Sequence, residues 1–204
     1  MTTPRVRNRR GEGDRLRDEL VAAAAALLEE EPADDGPSLR AVARRAGIAP
    51  QSLYLHFPDK GRLLGAVCET RFAELADELA AATGRTPTAR LRAMCLAYCR
   101  FAERRPRQYR VMFTEPVQAV DPGARLGALS TFDAAVRACT GEQPADIPAV
   151  SPGSAASGGS VTTLCLWAAL HGMVLLRQDR AGVPWPPIEQ LVDALLAAHL
   201  RLSA

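Results

Sequence analysis

Apolar residues recur at three- and four-residue spacing along almost the whole chain, and no segment alternates in the two-residue rhythm of a strand. The pattern predicts an all-α fold of about nine helices. The first runs from about Asp14 to Glu30, with Leu16, Leu20, Ala24, Leu27 and Leu28 on one face. Residues 32–37, PADDGP, form a loop. Ser38 is an N-cap residue, followed at helical spacing by Leu39, Val42, Ala43 and Ala46. Gly47 ends that short helix because it tolerates a left-handed backbone. Ile48 is the apolar plug of the turn, and Pro50 opens the third helix, through Phe57, where Leu53 and Phe57 make a buried face. A fourth helix spans about Lys60 to Ala82, with a break over residues 83–87. A fifth follows to about Arg104, and a short sixth runs from Pro106 to Phe113. A seventh, capped by Asp121, carries Leu126, Leu129, Phe132, Val136 and Cys139. Residues 141–159, rich in Pro, Ser, Gly and Ala with few apolar anchors, read as a mobile loop. The eighth helix, about Ser160 to Arg180, is apolar nearly all round. The ninth, about Pro187 to Leu202, carries Ile188, Leu191, Val192, Leu195 and Leu196.

Composition changes this picture in one respect. A chain of 204 residues with 48% hydrophobic and 24% charged residues is long enough for a small helical unit and a larger one with its own core. The formal net charge is only +2, but its distribution is uneven. Arg5, Arg7, Arg9 and Arg10 precede the first acid, Glu12, and read as a flexible basic arm over residues 1–13. Arg40, Arg44, Arg45, Lys60 and Arg62 stand against Asp59 alone between Ser38 and Arg62. Two basic clusters near one end suit contact with a polyanion. Five cysteines, odd in number and set in helical patterns, fit reduced thiols in the cytoplasm. No stretch is apolar enough for a membrane span or a signal peptide. His56, His171 and His199 have no metal-ligand spacing, and no nucleophilic triad or phosphate loop points to catalysis, so neither an enzyme nor a cofactor is expected.

With Leu53 and Phe57 turned inward, the third helix leaves Gln51, Ser52, Tyr54, Leu55 and His56 outside. That is the chemistry of an element lying in a major groove. Gln51 can pair bidentately with adenine. Tyr54 can offer its hydroxyl to a phosphate and its ring to a thymine methyl, and Leu55 can pack on a methyl or sugar. Arg40, on the second helix, can reach a guanine or phosphate. Ser38, Ser52, His56 and Lys60 can hold phosphates without reading sequence. Tyr54 and His56 have a plainer alternative, which is packing the head. The run V-A-x-R-A-G-I-x-P-x-S-L-Y-x-H-F-x-D-K, from Val42 to Lys60, resembles the helix-turn-helix DNA-binding domain of the TetR family of transcriptional regulators. The resemblance implies a three-helix DNA-binding head over residues 14–59 and a six-helix regulatory and dimerisation body over 60–204. It implies double-stranded operator DNA as partner and a homodimer formed through the last two helices. Independently, the near-uniform apolarity of the eighth helix calls for cover on more than one side.

Trp167 and His171, four apart in W-A-A-L-H-G, share a helix face, and Gly172 admits a close neighbour. A Trp-x3-His-Gly element here resembles the C-terminal domain of one TetR subgroup. Together with that resemblance, Met94, Tyr98, Phe101, Met112, Phe113, Phe132, Trp167 and His171 are candidate walls of a site for a small apolar or aromatic effector. The alternative is that they form an ordinary core. Cys95 and Cys99, also four apart, read as small buried residues, since no cationic neighbour argues a reactive thiol. The expected function is a ligand-responsive homodimeric regulator, most simply a repressor of a palindromic operator. The alternative is a ligand-independent dimeric DNA-binding scaffold with a solid core.

Overall fold

The computed structural model describes residues 12–30, 36–114, 120–142 and 159–201. The expected basic arm before Glu12, most of the PADDGP loop and most of the 141–159 loop lie outside the described residues. Nine helices and no strand occur among those described: α1 (Glu12–Glu30), α2 (Leu39–Arg45), α3 (Pro50–Tyr54), α4 (Lys60–Ala81), α5 (Pro87–Arg104), α6 (Pro106–Thr114), α7 (Pro122–Thr140), α8 (Val161–Asp179) and α9 (Ile188–Arg201). The all-α expectation therefore holds, and most boundaries fall within two residues of those read from the spacing. The described residues divide into two compact units. One comprises those up to Cys68 together with Val120, and the other runs from Glu69 to Thr114 and from Asp121 onward, so the division falls within α4.

In the first unit, α1 buries Leu16, Leu20, Val21, Ala24, Leu27 and Leu28 against α2, which contributes Val42 and Ala43. Leu53 and Phe57 close the same core. The Arg17 guanidinium lies over the Phe57 ring, 5.3 Å from its centre. Lys60 Nζ donates to the Gly36 carbonyl at 3.2 Å, tying the start of α4 to the segment that enters α2. Asp59 caps α4, accepting the Arg62 backbone N–H at 2.8 Å.

In the second unit α5 is central, packed on α6, α7, α8 and α9. It buries Leu91, Met94, Cys95, Leu96, Tyr98, Cys99, Phe101 and Ala102, a face too wide for a single partner helix. Thr86 caps it by accepting the Ala89 N–H at 3.1 Å, with Pro87 in the first turn. Asp121 stands at the N-cap of α7, but its side chain makes no capping bond there, contrary to expectation. Its backbone N–H instead donates to Glu69 Oε1 at 3.0 Å. The entry to α8 is more firmly built. Buried Asp133 Oδ1 accepts from the Ser160 N–H and from the Thr163 hydroxyl, both at 2.8 Å, while Ser160 Oγ accepts the Thr163 N–H. Arg137 pairs with the other Asp133 oxygen at 2.8 Å. A buried carboxylate is thus satisfied on both oxygens, as its burial requires. Arg92 holds Asp193 through two hydrogen bonds, joining α5 to α9.

Candidate nucleic-acid interface and effector site

The geometry of α2–turn–α3 follows from a few residues. Ser38, in an extended conformation, accepts the Ala41 N–H at 3.2 Å and starts α2. Gly47 takes φ +68°, the left-handed conformation that ends the helix. The Ile48 N–H then donates to the Ala43 carbonyl and the Gly47 N–H to Arg44, the paired bonds of a Schellman turn. Pro50 begins α3 with no side-chain cap before it. The regular helix stops at Tyr54, earlier than the expected Phe57, but Leu55 keeps helical angles and the Phe57 N–H still donates to the Leu53 carbonyl at 2.9 Å. The inward aim of Leu53 and Phe57 is therefore preserved.

Of the five residues expected outside, three are exposed and two are half-buried. Gln51 is exposed, Tyr54 is 49% exposed and Leu55 is 86% exposed, while Ser52 and His56 are half-buried. Gln51, Tyr54 and Leu55 stand three and four apart and share one face. Arg40 and Arg44 are exposed on α2 and make no ion pair among the described residues. Arg45 differs. Its guanidinium makes a two-pronged contact with Glu30, which holds the Glu30 carboxyl below the usual carboxylate range. That charge is spent inside the unit, a subtraction from the basic cluster that the sequence count missed. Lys60 is half-buried with one N–H on Gly36, leaving two donors of its ammonium for another acceptor. Its replacement would loosen the head as well as remove a charge, so Arg40 is the cleaner probe of phosphate contact.

In the second unit, Met112, Phe113 and Trp167 line a cleft of about 280 Å³ together with Phe72, Arg125, Leu129 and Leu164. Met94, Tyr98, Phe101 and Phe132 do not line it. Each is at most 1% exposed. Tyr98 and Phe132 instead meet Trp167 edge-on, at 5.1 and 5.5 Å between ring centres, and fix the indole from behind. His171 is beside the cleft wall rather than on it, its ring 4.4 Å from that of Phe113.

Tyr109, which the sequence reading passed over, organises this region. Its hydroxyl is 2.6 Å from the Tyr98 hydroxyl and 2.7 Å from His171 Nδ1. The bookkeeping of protons favours one direction. If Tyr98 donates to Tyr109 and Tyr109 to Nδ1, both hydroxyl protons are used. The reverse leaves the Tyr98 proton buried without an acceptor, which is costly. His171 then carries its proton on Nε2 and stays neutral, consistent with burial lowering its pKa. Burial pushes the Tyr98 and Tyr109 hydroxyls up as well, so both remain protonated donors. The Cys95 and Cys99 thiols are likewise pushed up by burial, Cys99 to about 12, as fits inert packing residues.

A pH dependence follows. The unfolded chain protonates His171 near pH 6.5, whereas the folded chain resists protonation to lower pH. Below pH 6.5 the unfolded state binds the extra proton. Stability from this group is full above that pH and is lost as pH falls, with a slope of at most about one proton. Urea midpoints should drop between pH 7.5 and pH 5 for the wild type, and less steeply for His171→Gln. Identical slopes would show that the Tyr98–Tyr109–His171 chain carries no such coupling.

Residues 20–67 match the model for bacterial regulatory proteins of the tetR family, and residues 91–199 match that for the tetracyclin repressor-like C-terminal domain. The chain belongs to the TetR family. It is a helix-turn-helix DNA-binding regulator of transcription, not an enzyme. Three solved structures are similar to it. A Rhodococcus sp. RHA1 protein of unknown function is 26% identical, with TM-score 0.70 over 91% of this chain and 94% of that one. A TetR-family transcriptional regulator from Streptomyces coelicolor is 18% identical, with TM-score 0.68 over 92% and 83%. A transcriptional regulator from Rhodococcus sp. RHA1 is 24% identical, with TM-score 0.66 over 91% and 96%. No curated protein matches the sequence. No helix among the described residues is long and apolar enough to cross a membrane.

Proposed function

We propose that this TetR-family chain is a homodimeric repressor that leaves a palindromic operator when a small apolar or aromatic effector enters its second unit. The observation that carries the DNA half is the outward row on α3, above all Leu55 at 86% exposure. An apolar side chain held that far into solvent has no role in the fold of its own unit. On DNA it would pack on a thymine methyl or sugar, beside Gln51 for base readout and Tyr54 for a phosphate or methyl. Ser38, Arg40, Ser52, His56 and Lys60 would position the backbone. Residues 14–59 are the proposed DNA-binding domain, residues 1–13 a basic arm and residues 60–204 the ligand-binding and dimerisation domain.

Dimerisation is supported by the outer face of α8. Val161, Cys165, Ala168 and Leu176 are exposed along one stripe, and Leu164 beside them is 41% exposed. Gly172 lies in that stripe, and a Cβ built on it meets nothing within 4 Å of its own chain. Nothing in the protomer demands a glycine there. A second copy packing closely across the stripe would. The W-A-A-L-H-G run supports placement in the Trp-x3-His-Gly subgroup. An effector against Trp167, on the same helix, would bias the angle between copies and hence the spacing of the two heads. Action on DNA places the protein in the cytoplasm.

The solid packing of Met94, Tyr98, Phe101 and Phe132 favours the second reading, a ligand-independent dimeric scaffold. The test is retention of sheared genomic DNA on immobilised protein, followed by elution with a library of small apolar compounds. Elution of a discrete set of fragments by one compound class supports the repressor reading. Retention of discrete fragments that no compound elutes supports the scaffold.

A further inference from the structure

One wall of the cleft in the second unit does not match an apolar effector. Phe72, Met112, Phe113, Leu129, Leu164 and Trp167 are the surroundings of a hydrocarbon or an aromatic ring, but Arg125 of α7 lines the same space. It is half-buried, and it makes no ion pair among the described residues. Its Nε is buried without a hydrogen-bond partner. Its guanidinium carbon lies 5.8 Å from the centre of the Phe72 ring. Glu69, one turn before Phe72 on α4, directs an oxygen to the Asp121 N–H instead of to this cation. Several other arginines of this unit are answered by acids, Arg92 by Asp193, Arg104 by Glu78 and Arg110 by Asp179 between helices, and Arg137 by Asp133 within α7.

A half-buried cation in an apolar cleft, with no acid paired to it among the described residues, offers its guanidinium to an acceptor that enters the cleft. A guanidinium lying over an aromatic ring keeps its in-plane N–H groups for a planar partner, and a carboxylate matches that fork. Resting on the reading of this unit as an effector site, we infer that the effector is a small apolar carboxylate. Its carboxylate meets Arg125, and its flat or branched body lies between Trp167, Phe113 and Phe72. At about 280 Å³ the cleft is small for a ligand site, which favours a compact single-ring body.

Phenylacetate and phenylacetamide have this size and nearly the same shape, and differ in charge. Binding of each is measured by titration calorimetry and by emission of Trp167 in a Trp185→Phe background. Wild type should bind phenylacetate at least about tenfold more tightly than the amide. Arg125→Met should erase that preference while leaving amide affinity within about twofold, and Arg125→Lys should retain part of it. Far-UV circular dichroism and urea midpoints check that the variants fold. Equal affinity for the two probes in wild type, or a preference that survives Arg125→Met, overturns the carboxylate site and leaves the apolar-effector reading standing. Failure of both probes to bind at millimolar concentration also overturns it. The wider reading is then judged only by whether a neutral compound elutes operator DNA.

Discussion

Ala168→Arg yields a folded protein that sediments as a monomer and binds operator roughly 10²–10⁴-fold more weakly than wild type. The substitution is chosen from the protomer's own surface. Ala168 is exposed on α8, between the exposed Cys165 and Gly172, so a longer side chain there can extend into solvent in the protomer. In the proposed dimer this stripe would meet its copy, and a guanidinium from each subunit would enter a seam where apolar residues should close. Leu195, a reasonable choice from the sequence, is a worse one, because it is half-buried within the protomer and an Asp there would damage the fold as well. The size of the loss reflects the effective concentration that links two half-site contacts. A wild-type monomer at micromolar concentration, or an Ala168→Arg variant that sediments as a dimer, would remove the assembly proposed above.

Leu55→Glu abolishes DNA binding without altering stability. With 86% of its surface in water, Leu55 contributes little to its own unit, and an exposed substitution of this kind shifts stability by about 0.5 kcal/mol or less. On α3 in a major groove, each copy would press a carboxylate toward phosphates. Like charges brought together at an interface cost several kcal/mol, more than a hundredfold in affinity at about 1.4 kcal/mol per decade. Leu55→Ala, which removes only a methyl or sugar contact, should weaken binding by a few fold. The contrast separates a residue that faces DNA from one that is merely exposed. If Leu55→Glu bound operator as wild type does, α3 would not be the reading element.

The parts of this fold that were legible in the sequence are those whose causes are local. Ser38, Gly47 and Pro50 each act on their own few residues of backbone, so the cap, the left-handed turn and the opening of α3 could be read directly. Helical spacing likewise gave Leu53 and Phe57 as the buried pair of the head. The second unit was less readable because its chemistry is assembled from distant segments. Tyr109 sits in the strongly basic run R-P-R-Q-Y-R, which carries no sign of burial, yet it is fully buried and bonds Tyr98 and His171 on two other helices. Arg125, one arginine among many in an arginine-rich chain, carries no sequence mark of lining an apolar cleft. Spacing could say that Tyr98 and Phe132 face inward. It could not separate residues that back Trp167 from those that share the cleft with it. Arg45 shows the same limit for charge, since only folding reveals that Glu30 neutralises it.

The most direct test of the central claim is selection of binding sites from a randomised duplex pool, carried out in parallel with wild type and Gln51→Ala. Wild type should enrich two inverted half-sites whose centres lie about one helical turn, or a multiple of it, apart. Gln51→Ala should enrich the same palindrome with preference lost at one base pair in each half-site, symmetrically placed, a discrimination of about 1–3 kcal/mol. An unsymmetrical site, no enrichment, or a Gln51→Ala motif indistinguishable from wild type would contradict the assignment of the α3 surface as the part of this protein that reads DNA.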